Sequence, residues 1–328
     1  MPIIASAGLA IGVLIGLLVP HGTPYKASAS APTPAPAPER RLSRFDLLAM
    51  TPDELAKVDI ADMNLACAEG LPGAEGINRA AALGTLDTWA KHVKEVTERH
   101  LYRAKDPKYA EHYHHSENFL RVEILIQVLQ EDCGVRYNPD RIYTPRPEDS
   151  RDHFLHGLLD PKCGGTCASM PVLYTAVGRR LGYPIKLVAA KQHLFCRWDT
   201  PTERFNIEGS SNDGWDAYDD NYYRTWPKPL SQAEIDSGDF LRSMTPMDEL
   251  AEFLLCRGIC EAVNHRLPAA RASLAEAHRL CPQSPIHIRS LLTAMGGDST
   301  AIPEPPLIAR PGFVPGMVPN PGAPGFRR

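Results

Sequence analysis

The chain has 328 residues, of which 43% are hydrophobic and 23% are charged, the composition of a globular protein with an ample core. Its formal net charge is −4 at pH 7 and no run of Lys or Arg occurs, so the charges argue against a nucleic-acid partner. The eight cysteines show neither paired spacing nor CxxC pairs, and therefore they do not settle the redox compartment.

The chain begins with an apolar stretch, because residues 3–19 carry no charge. At about 1.5 Å per residue this stretch spans roughly 25 Å, a little less than a bilayer core of about 30 Å. We expect residues 1–22 to be a signal peptide or a membrane anchor, so that the protein is exported or membrane-anchored. The small residues 27–29 suit cleavage, whereas Lys26, Arg40 and Arg41 favour a cytosolic position for the downstream domain, so the sidedness stays open.

A linker and a helical region are predicted next. Residues 23–44 are rich in Pro and Ala and are typical of a semi-rigid extended linker. Residues 45–145 are predicted to be helical. A helix start is marked by Thr51, Pro52 and Glu54, and an apolar stripe from Leu83 to Leu101 predicts a longer helix. Another helix is expected to follow Ser116.

Two polar clusters invite a metal-site interpretation. His112, His114 and His115 lie in a polar loop that has no paired carboxylate, which is more typical of solvated side chains than of a metal centre. The acidic residues between 213 and 220 lack the alternation and central glycine of a calcium loop. We therefore expect neither a metal ion nor another cofactor.

A glycine turn, Gly164 and Gly165, leads into a helical pattern that Gly182 should end. This places Cys167 where the turn meets the N-terminus of the predicted helix. The unpaired N–H groups and the partial positive charge of such a terminus stabilise a thiolate. Pro171 lies in or just past the first turn, so the helix is expected to begin a residue or two after Thr166.

Three strands are predicted after this helix, at residues 185–190, 193–198 and 204–208. His193 begins the second strand, and the third carries Asn206 and Glu208. A Cys on a helix, a His on one strand and a polar residue on the next form the arrangement of thiol proteases. The His takes the thiol proton and the third residue fixes the imidazole tautomer.

The segments 165–169, 178–184 and 205–208, together with His193, resemble the bacterial transglutaminase-like proteins. The resemblance runs from about residue 59 to about residue 285 and includes an upstream helical region. It implies a papain-like core at residues 146–230, with a Cys-His-Asp/Asn triad that acts on amide bonds. It also places the residue that orients the imidazole at Asn206.

The choice of the third residue is nevertheless open on the residues alone. Strand alternation puts Asn206 and Glu208 on one face, and the hairpin register cannot be predicted through the turn at residues 199–203. We favour Asn206 over Glu208. For the oxyanion, the backbone N–H of Cys167 is one expected donor, and His156 is a weaker candidate for the other. Whether Cys163 pairs with Cys167 also stays open.

The C-terminal region is predicted to consist of helices followed by a tail. Thr245, Pro246 and Asp248 mark a helix start. From Gly258 to Pro282 the small and large residues are spaced as in a tetratricopeptide unit, so we expect a tetratricopeptide-like pair within residues 231–300. One unit cannot bury its own face, so it should pack on the core or on a protein partner. Residues 301–328 are Pro- and Gly-rich and predict a disordered tail.

The sequence thus predicts an α+β fold in which a nucleophile helix packs on an antiparallel sheet flanked by helices. The predicted function is that of a cysteine-dependent amide hydrolase or acyltransferase with a protein or peptide substrate and no cofactor. Cys167 would be the nucleophile, His193 the base, and Asn206 or Glu208 the orienting residue. The alternative is a non-catalytic scaffold of the same fold that only binds protein partners.

Overall fold

The computed structural model describes residues 41–144, 146–212 and 214–281. The apolar N-terminal stretch, most of the predicted linker, Pro282 and the predicted C-terminal tail lie outside the described residues. No helix among the described residues is long and apolar enough to cross a membrane.

Helices make up most of the described chain, and they precede and follow one small sheet. In chain order they are α1 (Arg44–Leu48), α2 (Pro52–Leu55), α3 (Ile60–Ala68), α4 (Arg79–His100), α5 (Glu117–Gln127), α6 (Asp140–Tyr143), α7 (Leu155–Leu158), α8 (Met170–Arg180), α9 (Asp220–Thr225), α10 (Gln232–Ser237), α11 (Pro246–Val263) and α12 (Leu267–Leu280). Two 3-10 turns, Leu101–Ala104 and Ser150–Asp152, and a π-helical turn, Val128–Asp132, lie between them.

The N-terminal helices begin where their capping residues predict. Thr51 caps α2 and Ser116 caps α5, each accepting hydrogen bonds from backbone N–H groups that would otherwise have no partner. Helix α4 buries Leu86, Ala90 and Val93 along one stripe. Helices α3, α4 and α5 all contact α8, so they form the layer that supports the helix behind the candidate nucleophile.

The sheet consists of β1 (Ile185–Ala190), β2 (His193–Asp199) and β3 (Arg204–Ile207), antiparallel and in the order β1-β2-β3. One face packs on α8, where the Cys196 thiol donates to the Pro171 carbonyl over 3.1 Å. On the other face Phe195 stacks on Tyr223 of α9 with ring centroids 3.8 Å apart. Because both faces are covered, β2 is buried along almost its whole length. The predicted α+β class, with a helix against an antiparallel sheet, is confirmed.

Helix α8 begins later than the glycine turn would suggest. Its first residue is Met170, three positions after Cys167, and its N-cap is Ser169. Pro171 explains the start, because it has no N–H to donate to the carbonyl four residues earlier and is tolerated only in a first turn. The predicted end is confirmed, since α8 stops at Arg180 and Gly182 adopts a positive φ of 75°.

The C-terminal helices α11 and α12 pack closely on each other, and α11 also contacts α3. Thr245 caps α11 as predicted. At Gly258 a Cβ would lie 2.7 Å from Cγ of Leu274, so only glycine permits this spacing. The part of the predicted tetratricopeptide unit beyond residue 281 lies outside the described residues.

Candidate active site

Cys167 lies in the tight turn that leads into α8 and is only 6% exposed. The turn is closed by the Met170 N–H, which donates to the Thr166 carbonyl over 2.9 Å. Polar side chains of the turn add two hydrogen bonds: the Ser169 hydroxyl accepts from the Thr166 N–H, and the Thr166 hydroxyl donates to the Asp152 carbonyl over 2.7 Å. The backbone of the turn that carries Cys167 is therefore fixed by hydrogen bonds on both sides.

The two glycines before this turn allow another segment to approach. Gly165 donates its N–H to the Arg136 carbonyl over 2.7 Å and accepts from the Asn138 N–H over 2.8 Å. Gly164 has a φ of +73°, and a Cβ there would lie 3.1 Å from the Arg136 carbonyl oxygen. Gly164 thus permits this contact, which brings Tyr137 beside the nucleophile turn, whereas a side chain at Gly165 would collide with Met170.

His193 is the first residue of β2, and its side chain is 2% exposed. Nε2 lies 2.6 Å from Oε2 of Glu208. Nδ1 has no hydrogen-bond partner in the described part of the chain, and the Cys167 side chain lies close enough to the ring to raise the pKa of His193. The imidazole thus has a carboxylate and a thiol as neighbours. A catalytic base requires both, because one group orients the ring and the other exchanges a proton with it.

The charge state of the pair is set by these contacts. Burial alone lowers the pKa of an imidazole, but the charge of Glu208 and the hydrogen bonds to the Cys167 and Glu208 side chains outweigh it. Together they raise the pKa of His193 to about 10. Burial raises the pKa of a carboxyl, yet His193 and the hydrogen bonds to Ser210 hold the pKa of Glu208 below its usual value. At neutral pH the pair is an imidazolium with a carboxylate.

Glu208 is held just past the end of β3. Its backbone exchanges two 2.9 Å hydrogen bonds with that of Asp216. Oε1 accepts the Ser210 N–H over 3.1 Å, and Oε2 accepts the Tyr223 hydroxyl over 3.0 Å as well as the imidazole. A carboxylate with this many donors keeps both its charge and its orientation.

The expected contact between Asn206 and His193 is wrong, because Glu208 takes that place. Asn206 lies opposite Arg197, four residues along β2 from the imidazole, which is about 13 Å at the rise of a strand. Its Oδ1 accepts from Arg197 over 2.7 Å, and its Nδ2 donates to Asp220 over 2.8 Å. The hairpin register decides this, and it pairs Cys196 with Ile207, so that Glu208 comes next to Phe195 and diagonal to His193.

Two aromatic rings pack against the imidazole of His193. The Trp226 ring meets it edge-on with centroids 4.6 Å apart, and the Tyr223 ring is stacked at 6.2 Å. Neither of these residues, nor Tyr137, was predicted from the sequence. The cap of α9 at Asp219 was a readable signal for a helix carrying Tyr223, but nothing local showed which strand that helix would cover.

The remaining sequence predictions for the site concern His156, a pairing of Cys163 with Cys167, and metal binding. His156 is not at the site: its Nε2 is 3.1 Å from the Ser150 hydroxyl, and burial lowers its pKa to about 4. Cys163 and Cys167 are both free thiols, and Cys163 lies 3.6 Å from the Asp160 carboxylate. Within the described ranges no group of three or more His, Cys, Asp or Glu is arranged to hold a metal ion.

The comparison with protein families gives one match. Residues 80–216 match the model of the transglutaminase-like superfamily, and this segment contains Cys167, His193, Asn206 and Glu208. No curated protein matches the chain significantly, and no solved structure does.

Proposed function

We propose, from the transglutaminase-like domain that residues 80–216 form, that this protein is a cysteine-dependent amidase or acyltransferase acting on protein or peptide substrates. The observation that carries the proposal is the buried His193, which is hydrogen-bonded to Glu208 and lies close enough to the Cys167 side chain for that thiol to raise the pKa of the imidazole. The proposed triad is Cys167, His193 and Glu208. Neither a metal nor an organic cofactor takes part in it.

The chemistry begins with the Cys167 thiolate, which attacks the carbonyl carbon of a carboxamide or peptide. The C–S bond forms as the carbonyl electron pair moves to oxygen, and the Cys167 N–H stabilises that oxyanion. The oxyanion then collapses, the C–N bond breaks, and the His193 imidazolium gives its proton to the departing nitrogen. This leaves a thioester on Cys167.

The thioester is resolved by water or by an amine, whose proton passes to His193 as the C–S bond breaks. Water completes an amide hydrolysis, whereas an amine completes a cross-link. Adding a labelled primary amine to the trapped acyl-enzyme and measuring its share of the product against free acid separates the two outcomes.

The test of the proposal is to trap the acyl-enzyme. The protein is incubated with a library of carboxamide peptides and digested, and the mass added to the Cys167 peptide is measured. We expect acylation at Cys167 in the unaltered protein and in Cys163→Ala, the control that removes a neighbouring free thiol, but none in Cys167→Ala. A protein that forms no acyl-enzyme, or that forms one on another cysteine, would instead favour the non-catalytic scaffold.

Two expectations about partners and location also stay proposals. We propose that the α11–α12 pair forms a tetratricopeptide-like unit that binds a protein partner. A photo-activated cross-linker at the exposed Ala272 of α12 should then capture that partner, and a cross-linker at a buried position should not. We further propose that the N-terminal stretch exports or anchors the protein. Recovery of an intact chain in the soluble fraction after a carbonate wash would contradict this.

A further inference from the structure

The proposed acyl transfer requires a second donor to the oxyanion. A tetrahedral intermediate puts a full negative charge on the former carbonyl oxygen, and removing one of its two donors typically costs about 10²–10³ in rate. The Cys167 N–H supplies one hydrogen bond. The other candidate from the sequence, His156, is bonded to Ser150 away from the triad.

Tyr137 lies at the position where a second donor is needed. A parallel β-bridge joins it to Gly165, and the hydrogen bonds of Gly165 to Arg136 and Asn138 flank it on both sides. The side chain is 5% exposed. A contact with the backbone N–H of Cys167 acts to lower the pKa of the phenol, which places the hydroxyl beside the N–H that would bind the oxyanion.

The backbone of Tyr137 is held in place by one side chain. The Tyr137 N–H donates to Oδ1 of Asn212 over 2.7 Å, and Nδ2 of Asn212 donates to the Tyr137 carbonyl over 3.0 Å. With the peptide groups of Tyr137 fixed in this way, only its side-chain torsions remain free to move the phenol. A donor carried on a fixed backbone needs little reorganisation to meet a developing charge.

We propose that the Tyr137 hydroxyl is the second donor of the oxyanion hole, an inference that rests on the proposed acyl-transfer function. A hydroxyl that accepts one hydrogen bond keeps its own hydrogen for another acceptor. When a substrate carbonyl oxygen arrives beside the Cys167 N–H, the phenolic O–H turns to it and donates. No bond of Tyr137 is made or broken, since the phenol returns to its resting contact when the C–N bond breaks.

The phenol keeps its proton at neutral pH. Burial, with the charges of Cys167 and Glu208, raises the pKa of Tyr137 well above its ordinary value of 10. A neutral phenol can therefore donate throughout the pH range in which His193 is an imidazolium.

The test separates acylation from simple thiol reactivity. Acylation by p-nitrophenyl acetate passes through an oxyanion, and its rate is measured from the p-nitrophenol that this step releases. Alkylation by iodoacetamide involves no oxyanion. For Tyr137→Phe we expect the acylation rate of Cys167 to fall about 10²–10³-fold while its alkylation rate stays within twofold. Tyr113→Phe, which removes the hydroxyl of a tyrosine buried against Arg103, is the control and should change neither rate.

The other outcomes overturn the inference. An unchanged acylation rate would remove Tyr137 from the oxyanion hole, and a faster one would show that its hydroxyl blocks the hole. Equal losses in both reactions would place its effect on the thiol instead. If the unaltered protein is not acylated at all, the proposed function fails and this inference fails with it.

A second variant covers the case in which Tyr137→Phe does not fold. A fluorinated tyrosine at position 137 keeps the hydroxyl and the ring shape but lowers the phenol pKa. Acylation should then be lost at a lower pH than in the unaltered protein as pH rises, because a phenolate cannot donate, while alkylation keeps its profile. Coinciding acylation profiles would overturn the inference.

Discussion

Replacing Glu208 by Gln tests the triad most directly. The change keeps the size of the side chain and an acceptor oxygen for His193, but it removes the charge that lies 2.6 Å from Nε2. The imidazole would remain buried without its counter-ion. Since burial alone lowers the pKa of a histidine, we expect the pKa of His193 in Glu208→Gln to fall below its ordinary value of 6.5.

The size of the effect can be worked out from the shift in the folded protein. At about 1.4 kcal/mol per pH unit, raising the pKa of His193 from 6.5 to about 10 corresponds to roughly 5 kcal/mol in favour of the imidazolium. Glu208 must supply most of this and also offset the cost of burial. Without it the imidazole is neutral at pH 7 and has no extra proton for the leaving group. We expect acylation to slow by about 10²–10⁴, in line with the loss of the orienting carboxylate in other His-dependent hydrolases.

The sign of the pH dependence is fixed by the same shift. In the unaltered protein the imidazolium persists below pH about 10 and is lost as the pH rises through that value. The charge on His193 is therefore lost only at strongly alkaline pH. In Glu208→Gln, His193 should lose its proton below pH 6.5, so its charge should be absent at neutrality.

Three measurements check this prediction. NMR titration of the His193 ring gives its pKa, p-nitrophenyl acetate gives the acylation rate, and iodoacetamide at about pH 6 gives the reactivity of Cys167. The matched comparison is Asn206→Ala, on the same face but bonded to Arg197 and Asp220. Its acylation rate per folded molecule should change only a few-fold, although leaving the buried Nε–H of Arg197 without its acceptor should cost about 1–3 kcal/mol of stability. A large rate loss in Asn206→Ala with Glu208→Gln nearly silent would refute the assignment.

Two further predictions concern residues around the site and in the C-terminal helices. Tyr223→Phe removes a hydrogen bond to the Glu208 carboxylate, so the pKa of Glu208 should rise. The acid limit of the pH profile of acylation should then move to higher pH. An unchanged limit would mean that this hydroxyl does not stabilise the carboxylate charge. Gly258→Ala places a Cβ 2.7 Å from Leu274 and should lower the free energy of unfolding by about 1–3 kcal/mol. Gly84→Ala, where a Cβ has nothing within 4 Å, should raise the free energy of unfolding slightly. Denaturant titration measures both variants, and equal effects would contradict the packing argument.

The elements that the sequence predicted well are those with local causes. Strand β1 was predicted to the residue, and the start of α11 at Thr245 was predicted from one capping box. Capping and strand alternation depend on neighbours within a few positions, so they can be read without knowing the fold. The positions of Cys167 before α8 and of His193 at the head of β2 were predicted for the same reason, since each stands at the edge of a locally defined element.

The elements that the sequence could not predict depend on distant pairing. Glu208 rather than Asn206 reaches the imidazole because of the register across the turn at residues 199–203, which no local pattern sets. Tyr137 reaches Cys167 through a bridge to Gly165, 28 positions along the chain. The readable signal was the pair of glycines before Cys167, which allow a close backbone approach but do not say which segment approaches.

The polar face of β2 and β3 therefore has two ends with different roles. At one end His193 and Glu208 form a charged pair that faces the nucleophile. At the other end the fully buried Arg197 is neutralised by Asp220 and hydrogen-bonded by Asn206. An amide suits position 206, because Arg197 already has a carboxylate and needs only a neutral acceptor, whereas a second carboxylate would add an unpaired charge to a buried face. The residue that the resemblance assigned to catalysis thus bonds to Arg197 and Asp220, and the charge beside the imidazole comes from Glu208, two positions further along the chain and just past the end of β3.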